Sequence, residues 1–279
     1  MNRLRAWFLA PTWAVVITLF LAPLAIILGY SFLTRGVYGS ITPPWTAESY
    51  QRLIDSIYIE ILWRSFWIAG VSTLLCLLLG FPLALFISRA ERHKNFYLGL
   101  VMLPFWTSFL VRTYAWMFLL RDTGLINTVL LKLGLISQPL PLLYNYGAVL
   151  LGLVYTYLPF MVLPVYATLE RMDRSLLEAA ADLGARPLQV LWRVVLPLSR
   201  PGLRAGAILV FIPCLGAFLI PDLLGGGKTI LVGTLVQNQF TTARDWPFGS
   251  ALSMALMGVV LLLMLPLARK DGPGGGDLL

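Results

Sequence analysis

The most informative spacing of residues lies in a basic segment at positions 170–202, between two apolar stretches. The segment carries the pattern E-A-A-x3-G-x9-V-x-L-P, formed by Glu178, Ala179, Ala180, Gly184, Val194, Leu196 and Pro197. Alanine side chains let another backbone approach closely, and the flanking apolar residues supply surface to bury. The pattern therefore predicts noncovalent docking onto a partner protein, with Ala185 included in the docking surface.

Capping signals predict two short helices joined by a bend in this segment. Ser175 and Glu178 have the spacing of a capping box, so a helix should begin at Ser175. Gly184 is suited to end that helix in a left-handed conformation. Pro187 fits the first position of a second helix, where its missing N–H costs nothing, and Pro197 should end that helix.

Each predicted helix also has an apolar face, and we call residues 175–197 the elbow. The faces comprise Leu176, Leu177, Ala180 and Leu183 in the first helix, and Leu188, Leu191 and Val195 in the second. An alternative interpretation is an amphipathic hairpin that lies on lipid headgroups between two membrane spans. The complete pattern at its required spacing favours docking onto a protein.

Few residues of the chain are suited to catalysis, metal binding or nucleotide binding. His93 is the only histidine, and Cys76 and Cys214 lie inside apolar stretches without a spaced partner, so we interpret both as small core residues. The stretch 225–229 resembles the end of a phosphate-binding loop, but Asp222 occupies the position of a required glycine and would repel phosphate. A membrane enzyme would need paired acids, a histidine cluster or a nucleophile beside a base. The sequence favours none of these.

The composition indicates that the elbow is held by membrane-spanning helices. Hydrophobic residues make up 58% of the chain and charged residues 12%, so most of the surface must face lipid. Six apolar runs reach the roughly 20 residues that a helical span requires. They lie near 8–32, 65–88, 97–120, 147–169, 203–223 and 249–267. The predicted fold class is all-α integral membrane, with 1–279 as one transmembrane domain and 271–279 as a flexible tail.

Three prolines predict local irregularity within this arrangement. Pro213, Pro221 and Pro266 should kink the last two spans or make their ends irregular. Outside the spans, residues 48–62 are predicted to form an amphipathic surface helix in the long segment 33–64. The segment 121–146 contains the breakers Gly124, Gly134, Pro139 and Pro141.

Thirteen lysine and arginine residues lie in or beside 89–96 and 170–202 or near the two ends of the chain, against seven in the other three connections. This positive-inside bias places both termini and the elbow in the cytoplasm. We therefore predict a multi-pass protein of the bacterial cytoplasmic (inner) membrane. We interpret its net charge of +8 as a consequence of the cytoplasmic lysine and arginine residues that set the membrane topology and that attract anionic lipid. No nucleic-acid partner is expected. The first apolar run has no clear cleavage site and is expected to be a retained anchor.

The elbow pattern is similar to the EAA loop of the permease subunits of binding-protein-dependent ABC importers. Further stretches make the chain resemble the spermidine/putrescine-type ABC importer permeases over about 97–267. These stretches are LPFWTSF (103–109), VRTYAW (111–116), LPFMVLP (158–164), the segment 177–187, IPDLLGG (220–226) and RDWP (244–247). The elbow pattern is specific to ABC importers, whereas the other stretches are typical of the polyamine-type branch without defining one substrate.

The resemblance implies the type I ABC importer permease fold, with six transmembrane helices and two permeases paired around a central path. It implies that the elbow couples to a dimer of ABC ATPase subunits, which bind ATP and Mg, while this chain binds no cofactor. It further implies a second permease subunit, related but different, and an extracytoplasmic solute-binding protein. Asp245 and Trp246 are expected to shape the loop that receives the binding protein.

Several residues are candidates for the substrate path. Asp222 would attract a diamine at the outer end of the fifth span, or would form a turn there. Four aromatic residues offer π faces to ammonium groups or act as interfacial anchors: Trp106, Tyr114, Trp116 and Phe218. Arg112 lies within the third span, and for a cationic cargo a salt bridge or backbone contact that fixes helix packing is favoured. Ala217 stands where some relatives are expected to carry an acid, which weakens the case for cation contacts at that position.

The predicted function is a non-catalytic permease subunit of an ABC importer for a small organic solute, with spermidine or putrescine as the leading cargo. Another small solute of the same importer class is the main alternative. A secondary carrier is a further alternative, but it would require intramembrane acids or histidine relays, and the predicted spans contain almost no acids.

Overall fold

The computed structural model describes residues 11, 13–37, 39–90 and 92–270, and these residues are mostly helical. A short antiparallel ribbon pairs β1 (Thr34–Arg35) with β2 (Ile41–Thr42). The helices are, in chain order, α1 (Trp13–Tyr30), α2 (Glu48–Arg52), α3 (Ser56–Arg89), α4 (Lys94–Met102), α5 (Phe109–Leu120), α6 (Leu125–Lys132), α7 (Tyr146–Glu170), α8 (Ser175–Asp182), α9 (Pro187–Leu198), α10 (Arg200–Gly216), α11 (Leu219–Gly225), α12 (Val232–Thr241) and α13 (Trp246–Lys270).

Four helices in the described part of the chain are long and apolar enough to cross a membrane, namely α1, α3, α7 and α13. The count rises to six when each of two bent helix pairs is taken as one span. The predicted spans at 65–88, 147–169 and 249–267 coincide with α3, α7 and α13. The predicted start of the first span at position 8 and the predicted tail at 271–279 lie outside the described residues.

The predicted amphipathic helix over 48–62 is wrong, because the chain forms two helices there. Helix α2 ends at Arg52, and α3 begins at Ser56, ahead of the predicted span start at 65. Turn-type hydrogen bonds from the N–H groups of Ile54 and Asp55 to the carbonyls of Gln51 and Arg52 close the intervening turn. The 34 residues of α3 extend over about 51 Å, so α3 is longer than a hydrocarbon core of about 30 Å.

The predicted third and fifth spans are each broken. Residues 94–106 and 109–132 meet at a bend of 90°, where Thr107 and Ser108 adopt extended backbone conformations. The fifth span breaks at Ala217, with ψ of 129°, between α10 and α11. Pro213 and Pro221 lie inside those helices, so the prolines do not mark the break. A proline removes one backbone hydrogen-bond donor from a helix, whereas a residue in an extended conformation changes the direction of the chain.

The first compact unit contains the described residues up to Glu60 together with those from Leu235 onwards. In this unit the almost fully buried Asp245 joins α2 to the start of α13. Its Oδ2 accepts a hydrogen bond from Arg52 Nη1 at 3.0 Å, and its Oδ1 accepts the N–H of Phe248 at 3.1 Å. The Arg52 guanidinium also lies 4.1 Å from the centroid of the Phe248 ring. Asp245 therefore caps α13 and anchors the first long loop, a role that the sequence pattern did not reveal.

The second compact unit, Ile61–Thr234, has its core along α7. Helix α10 packs closely against α7 because small residues of α10 face it. A Cβ atom added to Gly202 would lie 2.7 Å from the carbonyl oxygen of Pro164, and one added to Gly206 would lie 2.7 Å from the sulfur of Met161. On the other side of α7, a Cβ added to Gly152 would lie 2.9 Å from Ile220 in α11. These close approaches position the end of α7, from which the elbow departs.

We expect Gly202→Leu to lower the thermal unfolding temperature of the detergent-solubilised chain, because the leucine would force α7 and α10 apart. Overpacking of this kind costs about 1–3 kcal/mol. The buried thiols of Cys76 and Cys214 provide the readout, since a thiol-reactive fluorophore reaches them only after unfolding. Gly99→Leu is the matched control, because an added Cβ there meets no atom within 4 Å. Equal unfolding temperatures for the two variants would contradict the close-packing argument.

Candidate functional site

The first helix of the elbow begins where the sequence predicts, but a different residue supports its start. Helix α8 starts at Ser175, and its preceding residue Arg174 makes no side-chain cap. Asp173 Oδ1 instead accepts the backbone N–H of Ser175 at 3.0 Å. That hydrogen bond holds the pKa of the Asp173 carboxyl below its usual range. The predicted Ser175–Glu178 capping box is wrong because Ser175 is already inside the helix.

The bend after α8 confirms the prediction for Gly184. This residue has φ of +76°, which lies in the left-handed region. The N–H of Gly184 bonds to the carbonyl of Ala181 at 2.8 Å, and the N–H of Ala185 bonds to that of Ala180 at 3.1 Å. These two bonds form a Schellman motif, which satisfies carbonyls at the helix end. Ala180 of the pattern and Ala185, which follows the glycine, therefore hold the shape of the bend.

The second helix of the elbow begins at Pro187, as predicted, and the side chain of Gln189 accepts the N–H of Arg186 at 2.8 Å. The prediction that Pro197 ends this helix is wrong, since the helical path continues to Leu198. Residues Leu191–Val195 are wound as a π-helix just before the proline. This wider winding accommodates Pro197, whose ring would clash with a carbonyl in regular α geometry. The chain then bends by 66° into α10.

Large apolar side chains project from the elbow without cover from the rest of the chain. Leu183 is 90% exposed and Trp192 is 62% exposed, and Leu176 and Leu188 are exposed as well. Val195, in contrast, is buried and anchors the second helix to the protein. We call Leu176, Leu183, Leu188 and Trp192 the elbow patch. Sequence reasoning missed Trp192, although a tryptophan in a basic connection is itself a signal of an interaction surface.

The inner side of the elbow borders a cavity of about 660 Å³. Its lining includes the charged residues Arg89, Lys94, Glu170, Arg174 and Glu178. Lys94 Nζ lies 2.6 Å from Glu170 Oε1, which ties the start of α4 to the end of α7. Glu178 thus sits beside basic groups of its own chain.

The remaining residues of the pattern differ in exposure. Ala179 is exposed on α8, whereas Leu196 and Pro197 are half-buried in the second helix. The exposed small residues lie on the same elbow as the exposed leucines and Trp192. The pattern therefore combines residues that present a surface with residues that shape the backbone beneath it.

The candidate path residues lie in helices other than the elbow. Trp106 is 81% exposed before the break in the third span, and Tyr114 of α5 is exposed. Phe218, at the break of the fifth span, and Asp222, in the first turn of α11, are also exposed. Trp116 instead packs edge-on against Tyr155 of α7, with ring centroids 5.5 Å apart. No ring contact joins the four aromatic candidates to one another in the residues that the structure describes.

Arg112 lies in the first turn of α5, near two phenylalanine rings. Its guanidinium carbon is 5.8 Å from the ring centroid of Phe105 and 6.0 Å from that of Phe109. Its Nε and Nη1 atoms are enclosed and have no hydrogen-bond partner among the described residues. The predicted salt bridge or backbone contact is therefore absent from the described part of the chain. Within the same residues, no three His, Cys, Asp or Glu side chains form a group that would hold a metal ion.

The chain is similar to known transport proteins over most of its length. The family profile described as "Binding-protein-dependent transport system inner membrane component" matches residues 65–270. The chain is 41% identical over 271 residues to the spermidine/putrescine transport system permease protein PotB of Haemophilus influenzae, covering 97% of this chain and 95% of that protein. It is 43% identical over 244 residues to the Escherichia coli K12 protein of the same name, covering 87% and 89%.

A solved structure supports the fold alone. A chain of the crystal structure of a bacterial alginate ABC transporter, in complex with an alginate pentasaccharide-bound periplasmic protein, superposes with a TM-score of 0.79. The match covers 97% of this chain and 96% of that chain at 17% sequence identity. The chain therefore has the fold of an ABC importer permease.

We expect Gly184→Val to loosen the elbow, because a β-branched residue is strained at a φ of +76°. A cost of about 1–2 kcal/mol would raise the population of opened elbow roughly 5- to 30-fold. The measurement is the rate of trypsin cleavage at Arg193 in inside-out membrane vesicles. Gly184→Asn is the control, since asparagine tolerates the left-handed region and should be cleaved at nearly the wild-type rate. If the valine variant is as resistant as the wild type, the left-handed glycine does not hold the elbow.

Proposed function

The chain belongs to the family of binding-protein-dependent transport system inner membrane components, and we propose that it forms half of the import path for a polyamine such as spermidine or putrescine. It is a permease subunit of an ABC importer, with the type I permease fold. ATP hydrolysis on separate ATPase subunits drives the transport. The polyamine assignment is supported by the identity to PotB proteins over nearly the whole chain.

The elbow patch is the single observation on which the coupling role rests. Leu183 and Trp192 are large apolar side chains that remain exposed beside a bend held by Gly184. Exposed leucine and tryptophan side chains in a basic connection are suited to insertion into a groove of another protein. The ATPase dimer supplies that groove and binds ATP and Mg, so this chain needs neither a cofactor nor a catalytic group of its own.

The proposed mechanism is alternating access. ATP binding closes the ATPase dimer, the elbow moves with it, and the paired permeases change between outward-facing and inward-facing states. The groove must bind the elbow differently in the two nucleotide states, since a contact of equal affinity would shift no equilibrium. The cavity beside Glu178 gives α8 room for such a movement. The breaks at 107–108 and 217–218 provide further positions at which spans change direction.

The cargo assignment uses the candidate path residues. Asp222 is exposed in the first turn of α11, where its negative charge is compatible with the helix dipole and available to an ammonium group. Trp106, Tyr114 and Phe218 are exposed aromatic rings that would contact the cation. Trp116 contributes less directly, because its ring packs against Tyr155.

The other partners follow from the same assignment. A solute-binding protein delivers the cargo from outside, and a related second permease completes the path. The chain resides in the cytoplasmic membrane with both termini and the elbow on the cytoplasmic side. The excess of lysine and arginine in and beside 89–96 and 170–202 and near the two ends of the chain supports this orientation.

We expect the double variant Leu183→Ala/Trp192→Ala to weaken ATPase binding at least about tenfold, because each truncation removes buried apolar area worth about 1.5–3 kcal/mol. The measurement is the amount of ATPase subunit that co-purifies with the tagged chain. The matched control is Trp45→Ala/Leu135→Ala, which truncates a tryptophan and a leucine that are also exposed, in the predicted outer segments. Undiminished ATPase binding by the elbow variant would contradict the docking role.

We expect Asp222→Asn to reduce uptake of radiolabelled putrescine by at least about threefold at low concentration, because the variant loses a local attraction for cations. Asp122→Asn, which changes another exposed acid of the outer segments, should leave uptake unchanged. ATPase co-purification should be normal for both variants, which separates a cargo effect from an assembly effect. Normal putrescine uptake by Asp222→Asn would remove this residue from the path.

A further inference from the structure

An apolar groove of about 310 Å³ lies between α3, α4 and α7. Each of the three helices contributes large apolar or aromatic side chains to its lining. They include Phe86, Tyr97, Leu100, Val101, Tyr155 and Leu158. Phe86 is 56% exposed and Leu100 is 49% exposed, so the groove is accessible from outside the described chain.

The groove leads to a cation at the connection between α3 and α4. The ring centroids of Phe86 and Tyr97 are 5.2 Å apart, and this contact joins the two helices. Phe86 also lines a second, shallower concavity on α3, which extends to Arg89. Arg89 follows Phe86 by three positions, so the two side chains are neighbours on the helix surface.

Arg89 carries a charge that is available to a ligand. The residue is exposed, and its side chain makes no hydrogen bond or ion pair in the part of the chain that the structure describes. Lys94, in contrast, is paired with Glu170. Positions 89–94 contain three basic residues and one acid, Glu91, so this connection is positive on balance.

The groove has the depth of one leaflet of a bilayer. Helix α4 begins at Lys94, and Pro104, ten positions later, lines the groove. At 1.5 Å per residue the two positions are about 15 Å apart along the helical path. Half of a hydrocarbon core of about 30 Å has the same depth. The groove therefore matches an acyl chain in one leaflet, with the cation at the level of the headgroup.

An anionic phospholipid fits this combination better than other ligands. A free phosphate would bind at Arg89 without using the groove, and a soluble peptide does not reach hydrocarbon depth. A neutral lipid would fill the groove and leave the arginine without an anion. A phospholipid with a net negative charge supplies an acyl chain and a phosphate together, and basic pockets on the cytoplasmic side of membrane helices bind such headgroups.

We propose that the groove binds an anionic phospholipid of the cytoplasmic leaflet, with one acyl chain between α3, α4 and α7 and the phosphate at Arg89. This inference rests on the proposed function for its orientation, which places 89–96 at the cytoplasmic surface. The headgroup then lies beside the elbow, because Arg89 also borders a space lined by Ala181, Ala185 and Leu188.

The first experiment measures lipid binding by the assembled importer, purified with its ATPase and its second permease, in nanodiscs of phosphatidylcholine. The probe is phosphatidylglycerol with a photoreactive diazirine in one acyl chain, added as a minor component. Mass spectrometry locates the labelled positions, which we expect between 83 and 104. Phosphatidylcholine with the same diazirine should label them about fivefold less, the effect of one basic residue at an anionic surface. Equal labelling by the two probes would overturn the proposal.

The second experiment separates a defined site from general attraction of anionic lipid to the basic connection. Arg89→Gln should lower labelling of the groove by phosphatidylglycerol about fivefold, because the phosphate loses its cation. Arg92→Gln is the matched control. It removes another exposed arginine of the same connection, which lines neither the groove nor the concavity at Arg89, and should leave labelling nearly unchanged. Equal losses in the two variants would rule out the site.

The third experiment tests the acyl-chain part of the site. Leu100→Trp should abolish labelling between positions 83 and 104, because the larger ring fills the groove. Leu78→Trp changes an exposed leucine of α3 outside the groove and should be labelled like the wild type. A photoreactive phenylalanine analogue at position 100 should cross-link to lipid. Cross-linking to the second permease in place of lipid would identify the groove as a subunit contact and overturn the proposal.

Uptake and topology measurements separate this inference from the proposed function. Putrescine uptake by the wild-type importer together with equal labelling by the two lipid probes overturns the lipid site alone. Selective labelling by phosphatidylglycerol without polyamine uptake supports the lipid site and contradicts the proposed cargo. Modification of Arg92→Cys from the outer side by a membrane-impermeant thiol reagent would overturn both the proposed orientation and this inference.

Discussion

Inside a lipid bilayer every backbone N–H and C=O group must find a partner within the protein, and this constraint shapes the whole structure. It accounts for the nearly complete helicity of the apolar runs and for the length of α3 and α7. It also makes each interruption of a span informative, because extended residues free backbone groups that lipid cannot satisfy. The interruptions at Thr107–Ser108 and at Ala217 are therefore tolerated only where protein lies nearby. At Ala217 the residue nearby is Gly233. A Cβ atom added to Gly233 would lie 2.5 Å from the Ala217 carbonyl oxygen.

The elbow obeys a different rule, since it lies in a polar connection where backbone groups can be hydrated. Its shape depends on local bonds: the left-handed Gly184, the hydrogen bond from Ala185 to Ala180, and the π-wound turn ahead of Pro197. A backbone fixed by such short-range bonds can present Leu183 and Trp192 to a partner without cover from its own chain. Local backbone bonds and exposed side chains together make a surface suited to docking.

Charged residues are few, and the contacts of each indicate a different structural role. Asp245 is buried and doubly bonded, so it fixes the start of α13 and the first loop. Lys94 and Glu170 form a partly exposed pair, which contributes little stability but keeps the ends of α4 and α7 together beneath the elbow. Arg112 differs from both, because its Nε and Nη1 atoms have no hydrogen-bond partner among the described residues.

The sequence alone determined the helical membrane class, the spans at 65–88, 147–169 and 249–267, the start of α8 at Ser175, the turn at Gly184 and the family, because periodicity, proline and glycine act locally. It did not determine the breaks of the third and fifth spans. Those depend on packing between α5, α7, α11 and α12, which are distant in sequence. Tertiary structure also decided that Asp173 and not Ser175 supports α8, that Pro197 lies within a helix, and that Asp245 is a buried cap. Each of these outcomes depends on which groups meet in space, and the spacing of residue types along a chain does not encode that.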